Sequence, residues 1–152
     1  MRILAIGKAA KSAPESALFA RYAARLKPVP VLNELPDGVG SPAEIKRREA
    51  DAILKAISPS DFVVALDSGG ATPDSLELAT LLGRWRESGR RLNFIIGGAE
   101  GLDHAVIARA DATLSLGRLT WPHLLVRPLL AEQLYRASMI AAGHPYHRAG
   151  RP

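Results

Sequence analysis

The chain has 152 residues, 47% of them hydrophobic, and no cysteine, which fits one domain over residues 1–152 with its own core and excludes a disulfide framework, a thiolate zinc site and a cysteine nucleophile. The net charge of +5 is too small by itself to name a partner. The N-terminal MRILAIGKAAK is too short for a membrane span and lacks the layout of a signal peptide, so we read the chain as cytoplasmic, with no membrane partner.

Arg2 to Gly7 reads as a buried first strand. Ser12-Ala13-Pro14-Glu15 reads as a helix start, with Ser12 capping, Pro14 in the first turn and Glu15 completing a capping box. That helix runs to about Leu26, with Leu18, Tyr22 and Leu26 on one face, and Pro28 and Pro30 end it. Val29 to Leu35 is a second strand, placed near a sheet edge because Pro30 cannot donate to a ladder. After a turn over Pro36 to Gly40, Ser41-Pro42-Ala43-Glu44 repeats the helix-start chemistry. The charged helix it opens carries Lys46, Arg47 and Arg48 and reaches about Ile57. Asp61 to Leu66 is an uninterrupted apolar strand, as a parallel sheet covered on both faces requires, and it empties into the loop Asp67-Ser68-Gly69-Gly70. Thr72-Pro73 opens a helix to about Arg86. Leu92 to Ile96 is another buried strand, ending at Gly97-Gly98-Ala99-Glu100-Gly101. A short helix covers Asp103 to Ala110, and Ala112 to Leu116 is the last strand. After the loop Gly117 to Trp121, a final helix reaches about Ala142 and stops at Gly143. This alternation predicts an α/β three-layer sandwich with a mainly parallel sheet.

In such sheets ligands bind beyond the carboxyl ends of the strands. Three loops occupy that place: Leu66 to Gly70, Gly97 to Gly101, and Leu116 to Trp121. No GxxxxGK[ST] is present, and Gly7-Lys8-Ala9-Ala10-Lys11 is not GxGxxG, so neither a P-loop nor a dinucleotide fingerprint is supported. Ser68 lacks a Gly-x-Ser-x-Gly setting, and His144 and His147 have no carboxylate companion, so no metal is expected. From Ala112 to the end stand five arginines (Arg118, Arg127, Arg136, Arg148, Arg151) against one acid, Glu132. That cluster reads either as a phosphate-facing surface or as a solvated helix face with a basic tail.

Four segments together resemble the ribosomal large subunit RNA methyltransferase H family. They are Gly97-Gly98-Ala99-Glu100-Gly101-Leu102, Leu116-Gly117-Arg118-Leu119-Thr120-Trp121-Pro122-His123, Glu132-Gln133-Leu134-Tyr135-Arg136-Ala137 and His144-Pro145-Tyr146-His147-Arg148. Order and spacing match from the first strand to the tail. The resemblance implies the SPOUT fold, whose C-terminal part threads a deep trefoil knot, and a homodimer. It further implies transfer of a methyl group from S-adenosyl-L-methionine to N3 of a pseudouridine in large-subunit ribosomal RNA, on the assembled ribosome. Carried over residue by residue, the cofactor site takes Leu66, Gly97, Leu116, Gly117, Arg118, Leu119, Thr120 and Trp121. Two positions depart from the family's pattern: Ala99, where proline or serine is common, and Pro128, where a kink or a delayed start of the last helix is expected.

The reaction needs positioning and a way to remove the imide proton. Candidate bases are His123, Glu132 and His147, and Arg136 or Arg148 could instead stabilise the deprotonated imide. The plainer alternatives are that Glu132 and Arg136 pair along the helix and that His123 caps its start. Tyr146, His147 and Arg148 suit a splayed RNA base. Three other functions stay open at this point: a non-catalytic ribosome-associated binder of the same fold, a methyltransferase for another RNA site, and a nucleotide-binding regulatory module, which would not need the basic C-terminal tail.

Overall fold

Apolar side chains alternate across the central strands, and that alternation fixes the layers. The computed structural model describes residues 1–148; the tail beyond them, including Arg151 of the basic cluster, lies outside the described residues. In chain order the elements are β1 (Arg2–Ile6), α1 (Pro14–Ala23), β2 (Val31–Leu35), α2 (Pro42–Ala56) and β3 (Phe62–Ala71), then α3 (Ser75–Glu87), β4 (Leu92–Ile96), α4 (His104–Arg109), β5 (Ala112–Leu114) and α5 (His123–Ala141). The sheet has the order β2-β1-β4-β3-β5, with every pair parallel. Ile3 and Ala5 face one side, with Leu78 and Leu82 of α3 and Leu130 and Leu134 of α5. Leu4 and Ile6 face the other, with Ala50 and Ile53 of α2 and Val106 of α4. Helix α5 packs between α1 and α3. No helix among the described residues is long and apolar enough to cross a membrane.

Several local expectations need correction. Pro14 takes the first helical position of α1, so the cap falls to Ala13, which has no side chain for it, and the Ser12–Glu15 box does not form. At α2 the proline directly follows the serine, the Ser–Glu spacing being the same, and the Ser41–Glu44 box is complete. Helix α3 starts at Ser75 rather than at Thr72-Pro73, because Asp74 accepts from the N–H groups of Leu76 and Glu77 and forms a box with Glu77. Residues Asp67 to Gly70 are not a free loop. They bulge within β3, so that Leu66 and Ala71 both pair with Leu114. Gly70 permits the approach: a Cβ there would lie 2.8 Å from the Leu114 backbone nitrogen. The last strand ends at Leu114, two residues early. Pro128 neither delays nor interrupts α5, which is unbroken from His123. Burial of Leu130, Ala131, Leu134 and Ala137 outweighs the one hydrogen bond the proline removes.

The opposite end of the sheet is tied by ions. Asp61 receives Arg91 through two bonds of 2.9 Å each and Arg2 at 3.2 Å, while Asp111 receives Arg90 at 2.8 Å and Arg109 at 3.5 Å. Burial pushes the Asp61 carboxyl up, but the hydrogen bonds from Arg91 and the Ser58 N–H and the charges of Arg91 and Arg2 outweigh it, leaving it below its ordinary value. Asp111 is lowered in the same way: burial is outweighed by Arg90, the Val63 N–H and the charge of Arg109. A carboxyl lowered in the folded state stabilises above its unfolded pKa, and that stabilisation is lost as pH falls through the folded value. The melting temperature is therefore expected to fall steeply below about pH 4, and Asp61→Asn to flatten that fall in a pH series of thermal melts.

Candidate functional site

At the carboxyl end of the sheet, the segments after β4 and β5 and the outer half of β3 close around a cleft of about 230 Å³. Of the eight residues assigned to the cofactor, seven line it: Leu66, Gly97, Leu116, Gly117, Leu119, Thr120 and Trp121. Arg118 does not; it is exposed and absent from the lining. The turn at Gly117 explains this, since its φ of +106° sends the next residue outward. Ser115 Oγ both donates to the Gly117 carbonyl at 3.0 Å and accepts from its N–H at 3.2 Å, which holds the turn. Leu119 and Trp121 are 73% and 39% exposed, large apolar side chains at the rim of a concavity. The floor is Leu66, Ile96, Leu102, Leu114 and Val126.

Among the described residues the lining contains no lysine or arginine and one carboxylate, Asp67. That composition does not suit a phosphate-bearing nucleotide. It suits a nucleoside whose polar end is cationic, with backbone and hydroxyl groups for the ribose and apolar walls for the base.

His123 also lines the cleft. It is the first residue of α5 and makes no side-chain cap, so the capping alternative fails. Instead its Nε2 lies 3.0 Å from where a Cβ on Gly7 would stand, with Asp37 Oδ1 3.2 Å from the same point. Gly7 has a φ of +87°, so the side-chain-free turn after β1 makes the room the imidazole occupies.

The other catalytic candidates gather elsewhere. Glu132 is nine residues along α5 from His123, roughly 13 Å along the axis. Its Oε1 accepts from Arg136 at 2.6 Å and from the Tyr146 hydroxyl at 3.0 Å. The Tyr146 ring packs edge-on to Tyr135 at 4.7 Å and beneath the Arg136 guanidinium at 5.0 Å. Burial and the bond to Glu132 push the Tyr146 phenol up to about 12. His147 has a buried Nδ1 without a hydrogen-bond partner among the described residues, and Arg148 is exposed. Within one chain, none of these residues reaches the cleft.

The basic cluster is also redistributed. Arg127 is 2% exposed and faces inward, donating to Glu34 at 2.6 Å and to the carbonyls of Ile6 and Gly7 at 2.9 and 2.6 Å. It cannot face phosphate.

Sequence reasoning missed Asp67, Gly98 and Glu49. Glu49 is 4% exposed and sits behind Gly98, accepting from the Gly38 N–H at 3.1 Å. Its spacing carried the signal, because Ile45, Glu49 and Ile53 fall four apart on the inner face of α2.

The family profile described as "Predicted SPOUT methyltransferase" matches residues 1–147. A "Ribosomal RNA large subunit methyltransferase H" from Acidiphilium cryptum is 64% identical over 152 residues, covering 100% of this chain and 96% of the relative. A relative with the same description from Gluconacetobacter diazotrophicus is 59% identical, covering 100% of this chain and 99% of its own. The solved structure of a probable methylase family protein from Haemophilus influenzae Rd KW20 superposes with a TM-score of 0.59 at 13% identity, over 99% of this chain and 71% of that one, a likeness of fold alone.

Proposed function

The chain belongs to the SPOUT methyltransferase family, and from that premise we propose that it methylates N3 of a pseudouridine in large-subunit ribosomal RNA, on the assembled ribosome, using S-adenosyl-L-methionine. We read it as a cytoplasmic homodimer of one domain, residues 1–152, with its C-terminal segment threaded as a trefoil knot. The observation that carries the reading is the lining of the cleft: strand-end loops with apolar walls, one carboxylate and no lysine or arginine. The descriptions of the relatives supply the RNA.

When bound, the cofactor supplies an electrophilic methyl on a sulfonium. Leu66, Gly97, Leu116, Gly117 and Thr120 would hold the nucleoside, and Leu119 and Trp121, exposed at the rim, would close over its base. Asp67, on the same lining, would offset the positive charge. His123 is the one candidate base on the cleft, and we assign it the imide proton of N3. Since Tyr146, His147 and Arg148 do not reach the cleft of their own chain, they are assigned to the target base at the cleft of the other subunit of the proposed homodimer, with Glu132 and Arg136 anchoring the tail through Tyr146.

The test is methyl transfer from labelled S-adenosylmethionine to ribosomes from a strain lacking this protein, with the modified base mapped by mass spectrometry. Label at N3 of one large-subunit pseudouridine is the expected result. In the same assay His123→Gln is expected to lower kcat by roughly a hundredfold to ten-thousandfold with little change in KM for the cofactor. Cofactor binding without transfer would move the substrate elsewhere, and neither binding nor transfer would remove the methyltransferase reading.

A further inference from the structure

The mouth of the cleft is electrically lopsided. In a parallel sheet with helical crossovers, every post-strand loop and the helix start that follows it gather at one end. On the β1–β2 side of that end stand Lys8 and Lys11 after β1, and Lys46, Arg47 and Arg48 in the first half of α2. Lys8, Lys11, Arg47 and Arg48 are exposed, and none of the five makes an ion pair within 4.0 Å among the described residues. The acids on this side are Glu15, Glu34, Asp37, Glu44, Glu49 and Asp51; of these Glu34 is paired with Arg127, Glu49 is buried, and Glu44 has its carboxylate engaged with Ser41. On the β3–β4 side the sequence has no lysine or arginine from residue 56 to 83 or from 92 to 108. Asp67, Asp74, Glu77, Glu100 and Asp103 occupy the loops and first helical turns there.

The basic flank begins at the lip of the cleft. Lys8 follows Gly7, against which His123 rests. The start of α2 is held to the same region, because Gly38 packs against Ile45 and donates to Glu49, and Glu49 lies against Gly98 of the cleft. A polyanion meeting this end is attracted on one flank and repelled on the other, which sets its direction of approach.

The geometry points to the β1–α1 loop and the first half of α2 as the surface that grips the phosphate backbone of the substrate RNA, so that the strand reaches the cleft from the β1–β2 side. This inference rests on the ribosomal RNA reading and adds to it the face that binds.

The test compares two triple variants that remove the same charge. Lys8→Gln/Lys11→Gln/Arg47→Gln strips the flank, and Lys27→Gln/Lys55→Gln/Arg86→Gln strips exposed residues near the C-terminal ends of α1, α2 and α3. Binding to assembled ribosomes, purified from a strain lacking this protein, is measured across a salt series, with thermal melts to verify folding. The flank variant is expected to bind at least tenfold more weakly at low salt. Its log Kd against log salt should be shallower by about 2, from roughly 0.7 per lost phosphate contact. The second variant should keep the wild-type slope. Equal slopes in wild type and flank variant, or equal losses in both variants, would overturn the proposal, the second outcome reducing it to net charge. Because the readout is binding, a wild type that binds these ribosomes yet transfers no methyl to them would defeat the proposed substrate while the slopes still decide the surface.

Discussion

Arg127→Ala is expected to lower the melting temperature by about 10 °C. The side chain is almost wholly buried, and its guanidinium satisfies Glu34 and two main-chain carbonyls at the end of β1. Removing it leaves the Ile6 and Gly7 carbonyls without that donor and strips Glu34 of its charge partner. Breaking a buried pair in this way costs about 3–5 kcal/mol, and a chain of this length loses about 2–4 °C per kcal/mol. Lysine does not repair the site, because a point charge cannot span three acceptors that a planar fork reaches. Arg127→Lys should therefore recover only a small part of the loss. Glu34→Gln should cost less, since the Glu34 side chain is 28% exposed against 3% for Arg127. Thermal melts of the three variants check the order. An alanine variant melting within 2–3 °C of wild type would mean that the pair contributes little, the outcome known for exposed ion pairs.

Gly98→Ala is expected to weaken S-adenosylmethionine binding by roughly ten- to a hundredfold. Its added Cβ would stand 2.8 and 2.9 Å from the two carboxylate oxygens of Glu49 and 3.0 Å from Ile6 Cγ2. Neither neighbour can yield easily: Ile6 is fully buried, and Glu49 is buried and fixed by the Gly38 N–H. Overpacking of this kind costs about 1–3 kcal/mol, and the strain falls on the loop that lines the cleft. The cause can be isolated by removing the obstacle. Gly98→Ala/Glu49→Ala should bind the cofactor more tightly than Gly98→Ala alone, as measured by isothermal titration calorimetry. If the two substitutions merely add, the collision with Glu49 is not what damages the site.

How far the sequence could be read depends on the kind of information each residue carries. Leu92 to Ile96 was legible to the residue, because an apolar run between Arg91 and Gly97 admits little else. Ser41 to Glu44 was legible because proline at the first helical position places the cap on the preceding serine. One residue more between serine and proline, at Ser12, moves that cap onto an alanine. The extension of β3 through Gly69 and Gly70 was not legible, since glycines signal turns locally and the reason for the bulge is a strand more than forty residues later. At the site, the loops were placed by the parallel-sheet rule and the family likeness, and all but Arg118 fell on the cleft. Arg127 was misread because charge was counted without phase. It lies three residues before Leu130 and four before Ala131, on the buried stripe of α5. The pairing of Glu132 with Arg136 was legible from their i, i+4 spacing, but the bond from Tyr146 to Glu132 was not, and their distance from His123 follows only from the rise of a helix that the sequence did not show to be unbroken at Pro128.

The strand order has a consequence for how the chain is made. Strand β1 lies between β2 and β4, so during synthesis it waits for residues 92–96 before its second edge is paired. At ordinary elongation rates that delay is roughly 5–20 s. Over that interval Ile3 to Ile6, wholly buried in the finished fold, has no complete sheet to enter. The face that α1 and α3 share stays uncovered longer still, until α5, the last helix, has been synthesised. A nascent chain of this kind keeps apolar surface uncovered until its later segments are made, and contacts between elements far apart in sequence, such as α1 with α5, slow its closure.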